Sequence, residues 1–191
     1  MSKKETILKR IKIIIVGVEE TGKSTLVRQL SGNAKSIEHY AKDGSSITVG
    51  FDIGVVEMDD YIMHFIGTPG QKRFEFAKKI ATCGAHIGIL MLDGETISEK
   101  GVQVREKTIE QELIDMNIPY LVCLNKSDVL DEAVADTVKP HFNLPIHLIS
   151  AKTGQGVDKL QGALQNLIET TPMTWSSSLQ KKIRTAIVKM A

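Results

Sequence analysis

Ile11-Lys12-Ile13-Ile14-Ile15-Val16-Gly17-Val18-Glu19-Glu20-Thr21-Gly22-Lys23-Ser24-Thr25 runs from a dense β-branched block, through a glycine-bounded loop, into a helix-forming segment. Apolar residues at nearly every position read as a strand covered on both faces, the kind that parallel sheets contain. The loop fits the spacing G-x-x-x-x-G-K-S/T. Gly17 and Gly22 let the backbone wrap so that its N–H groups point into an anion-sized nest. The helix that follows adds its positive N-terminal end. Gly17, Glu20, Thr21, Gly22 and Thr25 are the expected cofactor-binding positions of this loop, with Lys23 and Ser24. Lys23 is placed to reach the β- and γ-phosphates of a nucleotide, and the Ser24 hydroxyl to ligate magnesium. A plain glycine turn fits the same letters, but the buried strand before it and the helix after it favour the phosphate reading.

Outward from this block, apolar runs alternate with helix-like stretches. Residues 51–57 and 61–66 read as strands joined at Asp59 and Asp60 in a hairpin, and residues 86–92, 120–124 and 146–149 as three more. With the first block that makes six strands. Helices are expected over 22–30, 71–81, 102–116, 131–139 (ended by Pro140) and 157–168. In the third, Val102, Ile109, Leu113 and Met116 fall on roughly one face, and in the last Leu160, Leu164, Leu167 and Ile168 do. The pattern predicts an α/β fold of the P-loop NTPase type. Its six-stranded sheet is mostly parallel, with one antiparallel edge strand, flanked by about five helices and a C-terminal helix.

Bulk properties agree with one domain in 191 residues. Apolar residues make up 42% and charged residues 25%, ordinary for a soluble protein. A net charge of +1 gives no global field toward nucleic acid. Two cysteines, Cys83 and Cys123, are too few for a disulfide scaffold or a four-cysteine metal site, and a reduced cytoplasmic setting suits them. Residues 1–10 lack a signal-peptide apolar block, no stretch nears a membrane span, and neither the N-myristoylation pattern nor a C-terminal prenylation box is present, so no lipid anchor is expected.

A second constellation selects the base. Asn125-Lys126-Ser127-Asp128 ends the fifth expected strand, and Ser150-Ala151-Lys152 ends the sixth. A carboxylate at Asp128 accepts from both the ring N–H and the exocyclic amine of guanine. Adenine has a lone pair at that ring nitrogen and lacks the amine, so it leaves the carboxylate unpaired, a mismatch that discriminates strongly. A polar turn after a strand is the ordinary alternative. Two such turns at the C-terminal ends of strands in one sheet match the edge where open α/β sheets bind ligands.

With these motifs in this order, the sequence resembles the Ras-like small GTPases from Gly17 through Lys152 and into the following helix. The resemblance implies GTP and GDP as ligands with Mg2+, and hydrolysis of GTP by water. Ile47-Thr48-Val49-Gly50-Phe51-Asp52 is similar to a first switch, which makes Thr48 the residue that closes over magnesium and the γ-phosphate. The second switch reads Gly67-Thr68-Pro69-Gly70-Gln71-Lys72-Arg73 where the family usually has Asp-x-x-Gly-Gln. The resemblance gives Gly70 a backbone N–H bond to the γ-phosphate and Gln71 the orienting of the attacking water. Glycine at 67 removes the carboxylate that usually holds magnesium through water. Magnesium then rests on Ser24, Thr48, phosphates and water and should be held more weakly; Asp52 is a substitute that the spacing does not demand. This form looks like a prokaryotic branch of the family, often associated with Roadblock-type regulatory proteins.

Glu19 stands in the loop where Ras has glycine. Its side chain either crowds Gln71 or an incoming arginine, or turns out to solvent. No internal arginine finger can be named, so turnover should be slow, on the order of 10⁻⁴ to 10⁻² per second, and open to an activating protein. Loss of the γ-phosphate would release Thr48 and Gly70, the change that an effector or exchange factor senses. The competing class is a GTP-dependent scaffold with little hydrolysis, motivated by Glu19 and Gly67. The expected division is a GTPase domain over 1–170 and a helical extension over 171–191. In the extension Trp175, Leu179, Ile183, Ile187 and Met190 recur at helical spacing among four cations. A helix packed on its own domain is the preferred reading; docking on a partner and peripheral membrane contact are the alternatives.

Overall fold

A computed structural model describes residues 9–32, 35–37, 51–58, 61–70 and 80–172. Thr48, Gln71, the helix expected over 71–81 as far as Lys79, and the extension from Met173 onward lie outside the described residues.

Among the described residues seven strands form one sheet: β1 (Lys9–Val16), β2 (Lys35–Ile37), β3 (Phe51–Met58), β4 (Tyr61–Gly67), β5 (Ile87–Asp93), β6 (Tyr120–Asn125) and β7 (Ile146–Leu148). Their spatial order is β2-β3-β4-β1-β5-β6-β7. All six expected strands are present. The three-residue β2 joins β3 at the edge, so the single antiparallel strand, β3, has a neighbour on each side. Both flank strands of β1 are parallel to it. The chain fills the sheet toward β2 on one side of β1 and toward β7 on the other, so β1 sits at the topological switch point, where such sheets form a crevice beyond their carboxyl ends.

Among the described residues five α-helices cover the two faces: α1 (Lys23–Ser31), α2 (Gly94–Lys100), α3 (Val104–Asp115), α4 (Glu132–Val138) and α5 (Val157–Thr170). Strand alternation divides the core. Ile11, Ile13 and Ile15 face one cluster with Leu26 and Val27 of α1 and Leu160, Leu164 and Ile168 of α5. Ile14 and Val16 face the other, with Ile97 of α2, Ile109 and Leu113 of α3 and Val134 and Val138 of α4. Such double coverage is why β1 carries isoleucine at consecutive positions. The helix α3 is two residues shorter at its start than expected, because Gln103 caps it: the Gln103 backbone N–H donates to Glu106 Oε2 at 3.0 Å in a capping box. Of the four residues expected on its buried face, Ile109 and Leu113 are buried, but Met116 is 46% exposed, since the helix ends before it. The helix α2 had no periodic signal. Asp93 creates it by accepting from the N–H groups of Glu95 and Thr96. Among the described residues, no helix is long and apolar enough to cross a membrane.

Candidate functional site

The loop between β1 and α1 closes on itself. Lys23, 8% exposed, donates from Nζ to the Val18 carbonyl and, at 3.3 Å, to Thr21 Oγ1. Thr21 Oγ1 donates to the Val18 carbonyl at 3.2 Å. This seats the ammonium inside the loop, at the amino end of α1. Gly22 stands at the N-cap with φ +89°, and a Cβ there would lie 2.4 Å from Asn125 Nδ2. Glycine is required twice over: for the left-handed backbone and for the approach of the next loop.

That next loop is held by Asn125, at the end of β6 and 4% exposed. Its Nδ2 donates to the Thr21 carbonyl and its Oδ1 accepts from the Ala151 N–H, both at 2.8 Å. One amide therefore joins the phosphate-type loop, the end of β6 and the loop after β7. Ser150, fully buried, accepts from the Thr153 N–H at its hydroxyl, 3.2 Å away, and so shapes the last of these. The Ala151 N–H is taken up by Asn125, and the side chains of Asp128 and Lys152 are exposed at the rim.

Lys126 has φ +67° and turns toward α2. Its Nζ donates to Asp93 Oδ2 at 2.8 Å and Glu95 Oε2 at 2.7 Å. Burial works against its charge, but the bonds to Asp93 and Glu95 outweigh this and hold the ammonium above the usual lysine range. Asp93 thus both caps α2 and anchors Lys126. Sequence reading missed Asp93 and Glu95 as members of the site. The one signal in the sequence was an aspartate at the end of an apolar strand.

These segments ring one cavity of about 340 Å³, within the range of small-molecule sites. Glu20, Gly22 and Thr25 line it from the first loop and α1, Asn125, Lys126 and Asp128 from the second, and Ser150, Ala151 and Lys152 from the third. Glu95 and Val129 complete the lining. Gly17, Thr21, Lys23 and Ser24 lie in the adjoining loop and first helical turn.

At the other end of the loop, Gly70 abuts the backbone of Val18 and Glu19. A Cβ on it would lie 2.6 Å from the Glu19 nitrogen. The Glu19 side chain is 37% exposed and turns toward Arg105, while Gln71, the residue it could crowd, lies outside the described residues. Arg105, in the first turn of α3, binds both its carboxylate oxygens, at 2.5 and 3.0 Å. The hydrogen bonds from Arg105 hold the Glu19 carboxyl below the ordinary carboxylate range. Nη2 of the same arginine donates to the Gly70 carbonyl at 2.6 Å. An arginine at this site was absent from the sequence reading, and a pairing across 86 positions leaves no local trace.

Gly67 lies opposite Asp52 in the β3–β4 ladder. A Cβ on Gly67 would lie 3.4 Å from Asp52 Cβ, 3.5 Å from Asp52 Oδ2 and 3.3 Å from Val27 Cγ2 of α1. The Asp52 carboxylate therefore occupies the space into which a longer side chain at 67 would grow, on the side of α1. Thr68 beside it is buried, and its hydroxyl donates to the Ile15 carbonyl at 3.1 Å.

Residues 8–170 match the family described as the elongation factor Tu GTP binding domain. An uncharacterized protein of Methanocaldococcus jannaschii is 34% identical over 121 residues, spanning 63% of this chain and 73% of that one. GTPase Der of Mycolicibacterium vanbaalenii is 27% identical over 179 residues, covering 83% of this chain but only 36% of Der. Among solved structures, translation elongation factor SelB of Methanococcus maripaludis with the GTP analogue GppNHp superposes with a TM-score of 0.72. Its identity is 21%, over 87% of this chain and 35% of SelB, a likeness of fold. The chain thus spans about a third of the length of Der and of SelB. With the sheet order, the lysine-bearing loop at the switch point and a family match over most of its length, this chain belongs to the elongation factor Tu GTP-binding domain family and is a P-loop GTPase.

Proposed function

We propose that the chain is a Ras-like, GTP-hydrolysing switch that meets partner proteins through its two switch segments. The observation that carries this is that the loops bearing Lys23, Asp128 and Lys152 all contribute to one cavity. In this reading Asp128 selects guanine and Lys152 flanks the base. The N–H groups of residues 17–22, with Lys23 and the end of α1, hold the phosphates. Gly70 meets the γ-phosphate, Thr48 closes over it and Gln71 orients water.

The donor set suits magnesium, which supplies charge neutralisation at the β- and γ-phosphates when bound. Its oxygens are hard: the Ser24 hydroxyl in the first turn of α1 and the Asp52 carboxylate beside Val27, three residues further along that helix. Asp52 is the residue best placed to take over from the carboxylate that Gly67 lacks.

The reading extends to a domain over 1–170, an extension over 171–191 and a cytoplasmic setting, supported by a buried Cys123 and an exposed Cys83 that remain unpaired. It also includes an activating or exchange factor, Roadblock-type by resemblance. A GTP-dependent scaffold is favoured instead by one observation: Arg105 and Glu19 tie Gly70 directly to the first loop. Single-turnover hydrolysis of bound GTP, in the native chain beside Gln71→Ala, separates the two. Slow native turnover that the variant reduces further supports the switch. GTP unchanged over hours in both supports the scaffold.

A further inference from the structure

Arg105 stands at the start of α3, remote in sequence from everything that touches nucleotide in the reading above. Yet its guanidinium reaches the end of the site where the third phosphate belongs. Two of its nitrogens fork onto Glu19, and Nη2 also donates to the Gly70 carbonyl. Gly70 packs so closely on the Val18–Glu19 peptide that a Cβ on it would lie 2.6 Å from the Glu19 nitrogen. Three elements meet at one cation: the phosphate loop, the head of the second switch and α3.

Two consequences follow from charge and geometry. A carboxylate on the third residue of a phosphate loop repels a γ-phosphate far more than it repels the more distant α- and β-phosphates, since Coulomb energy falls with separation. A guanidinium bound to both its oxygens cancels that repulsion in place. Second, a carbonyl held from the α3 side fixes the position of the Gly70 backbone, whose N–H has to meet the γ-phosphate. GDP feels the first effect less and the second not at all.

We propose that Arg105 is a positioning residue that sets the preference of the site for GTP over GDP: by forking onto Glu19 and bonding the Gly70 carbonyl, it neutralises the loop carboxylate and seats Gly70 for the γ-phosphate. This rests on the GTP-binding reading and deepens it. It also gives Glu19 a purpose, as the group that holds Arg105 in register between loop and switch. Lysine in its place keeps the charge but lacks the fork that spans two partners.

The test is equilibrium binding of GDP and of a non-hydrolysable GTP analogue to the nucleotide-stripped full chain with magnesium. It compares the native protein with Arg105→Ala, Arg105→Lys, and the double variant Glu19→Gln with Arg105→Ala. Loss of a charge-assisted contact predicts that Arg105→Ala weakens the GTP analogue about tenfold while GDP changes by less than about twofold. The double variant recovers part of that loss, because the repelling charge is gone; a merely structural role gives no such recovery. If Arg105→Ala does not fold, Arg105→Lys is read in its place, with a smaller loss confined to the GTP analogue. Equal losses for both nucleotides, an unchanged ratio, or no recovery in the double variant overturn the proposal and leave the GTP-binding reading intact. A native chain that binds neither nucleotide overturns that reading, and the proposal with it.

Discussion

Removing the Asn125 side chain leaves two buried backbone groups without partners, the Thr21 carbonyl and the Ala151 N–H. An unsatisfied buried group costs about 1–3 kcal/mol, so Asn125→Ala should destabilise the fold by at least about 2 kcal/mol in denaturant unfolding. Asn125→Asp is the sharper probe. It keeps the acceptor for Ala151 but turns an oxygen toward the Thr21 carbonyl, and should be no milder than alanine. A mild aspartate variant would show that the amide does not join the loops. At the same scale, Asp52→Asn keeps the shape beside Gly67 and removes the charge. Loss of an outer-shell carboxylate costs about 10–100-fold in metal affinity, so the magnesium concentration that slows GDP release should rise at least about tenfold. An unchanged magnesium dependence of release would remove Asp52 from the metal site.

Elements differ in how much of them the sequence discloses. The strand β1 was readable because both its faces are buried, which forces isoleucine at consecutive positions. The helix α5 was readable from four apolar residues at helical spacing, of which Leu160, Leu164 and Ile168 are buried. By contrast α2 is seven residues long with only Ile97 buried among its side chains longer than glycine, too short for a period to show. The three-residue β2 is likewise below the length at which a strand pattern exists. Motifs made of neighbouring residues, such as Gly17 to Thr25, are legible in the same way as β1. The Glu19–Arg105 pair is not, because nothing near either residue constrains the other. The division has an energetic counterpart. Leu160, wholly buried between α5 and the sheet, should cost about 2–5 kcal/mol when cut to alanine, since the surrounding strands cannot collapse into the gap. A loss below about 1 kcal/mol would mean that this face of the sheet is loosely packed.

For the whole molecule, the base reading makes a prediction that does not depend on catalysis. A ligand that binds only the folded chain stabilises it by about 2.7 kcal/mol at a hundred times its Kd. For a chain of 191 residues each kcal/mol moves Tm by about 2–4 °C, so saturating GDP should raise Tm by roughly 5–10 °C, and ATP should leave it in place. Asp128 separates recognition from folding, because it is exposed on a short turn and no core contact depends on it. Asp128→Ala should therefore keep the Tm of the nucleotide-free chain within about 1–2 °C, as surface substitutions do, while most of the GDP-induced rise disappears. Equal shifts with ATP and GDP in the native chain would mean that the cavity holds phosphates without reading the base. Persistence of the GDP shift in Asp128→Ala would move base selection elsewhere on the rim, with Lys152 the next side chain to change.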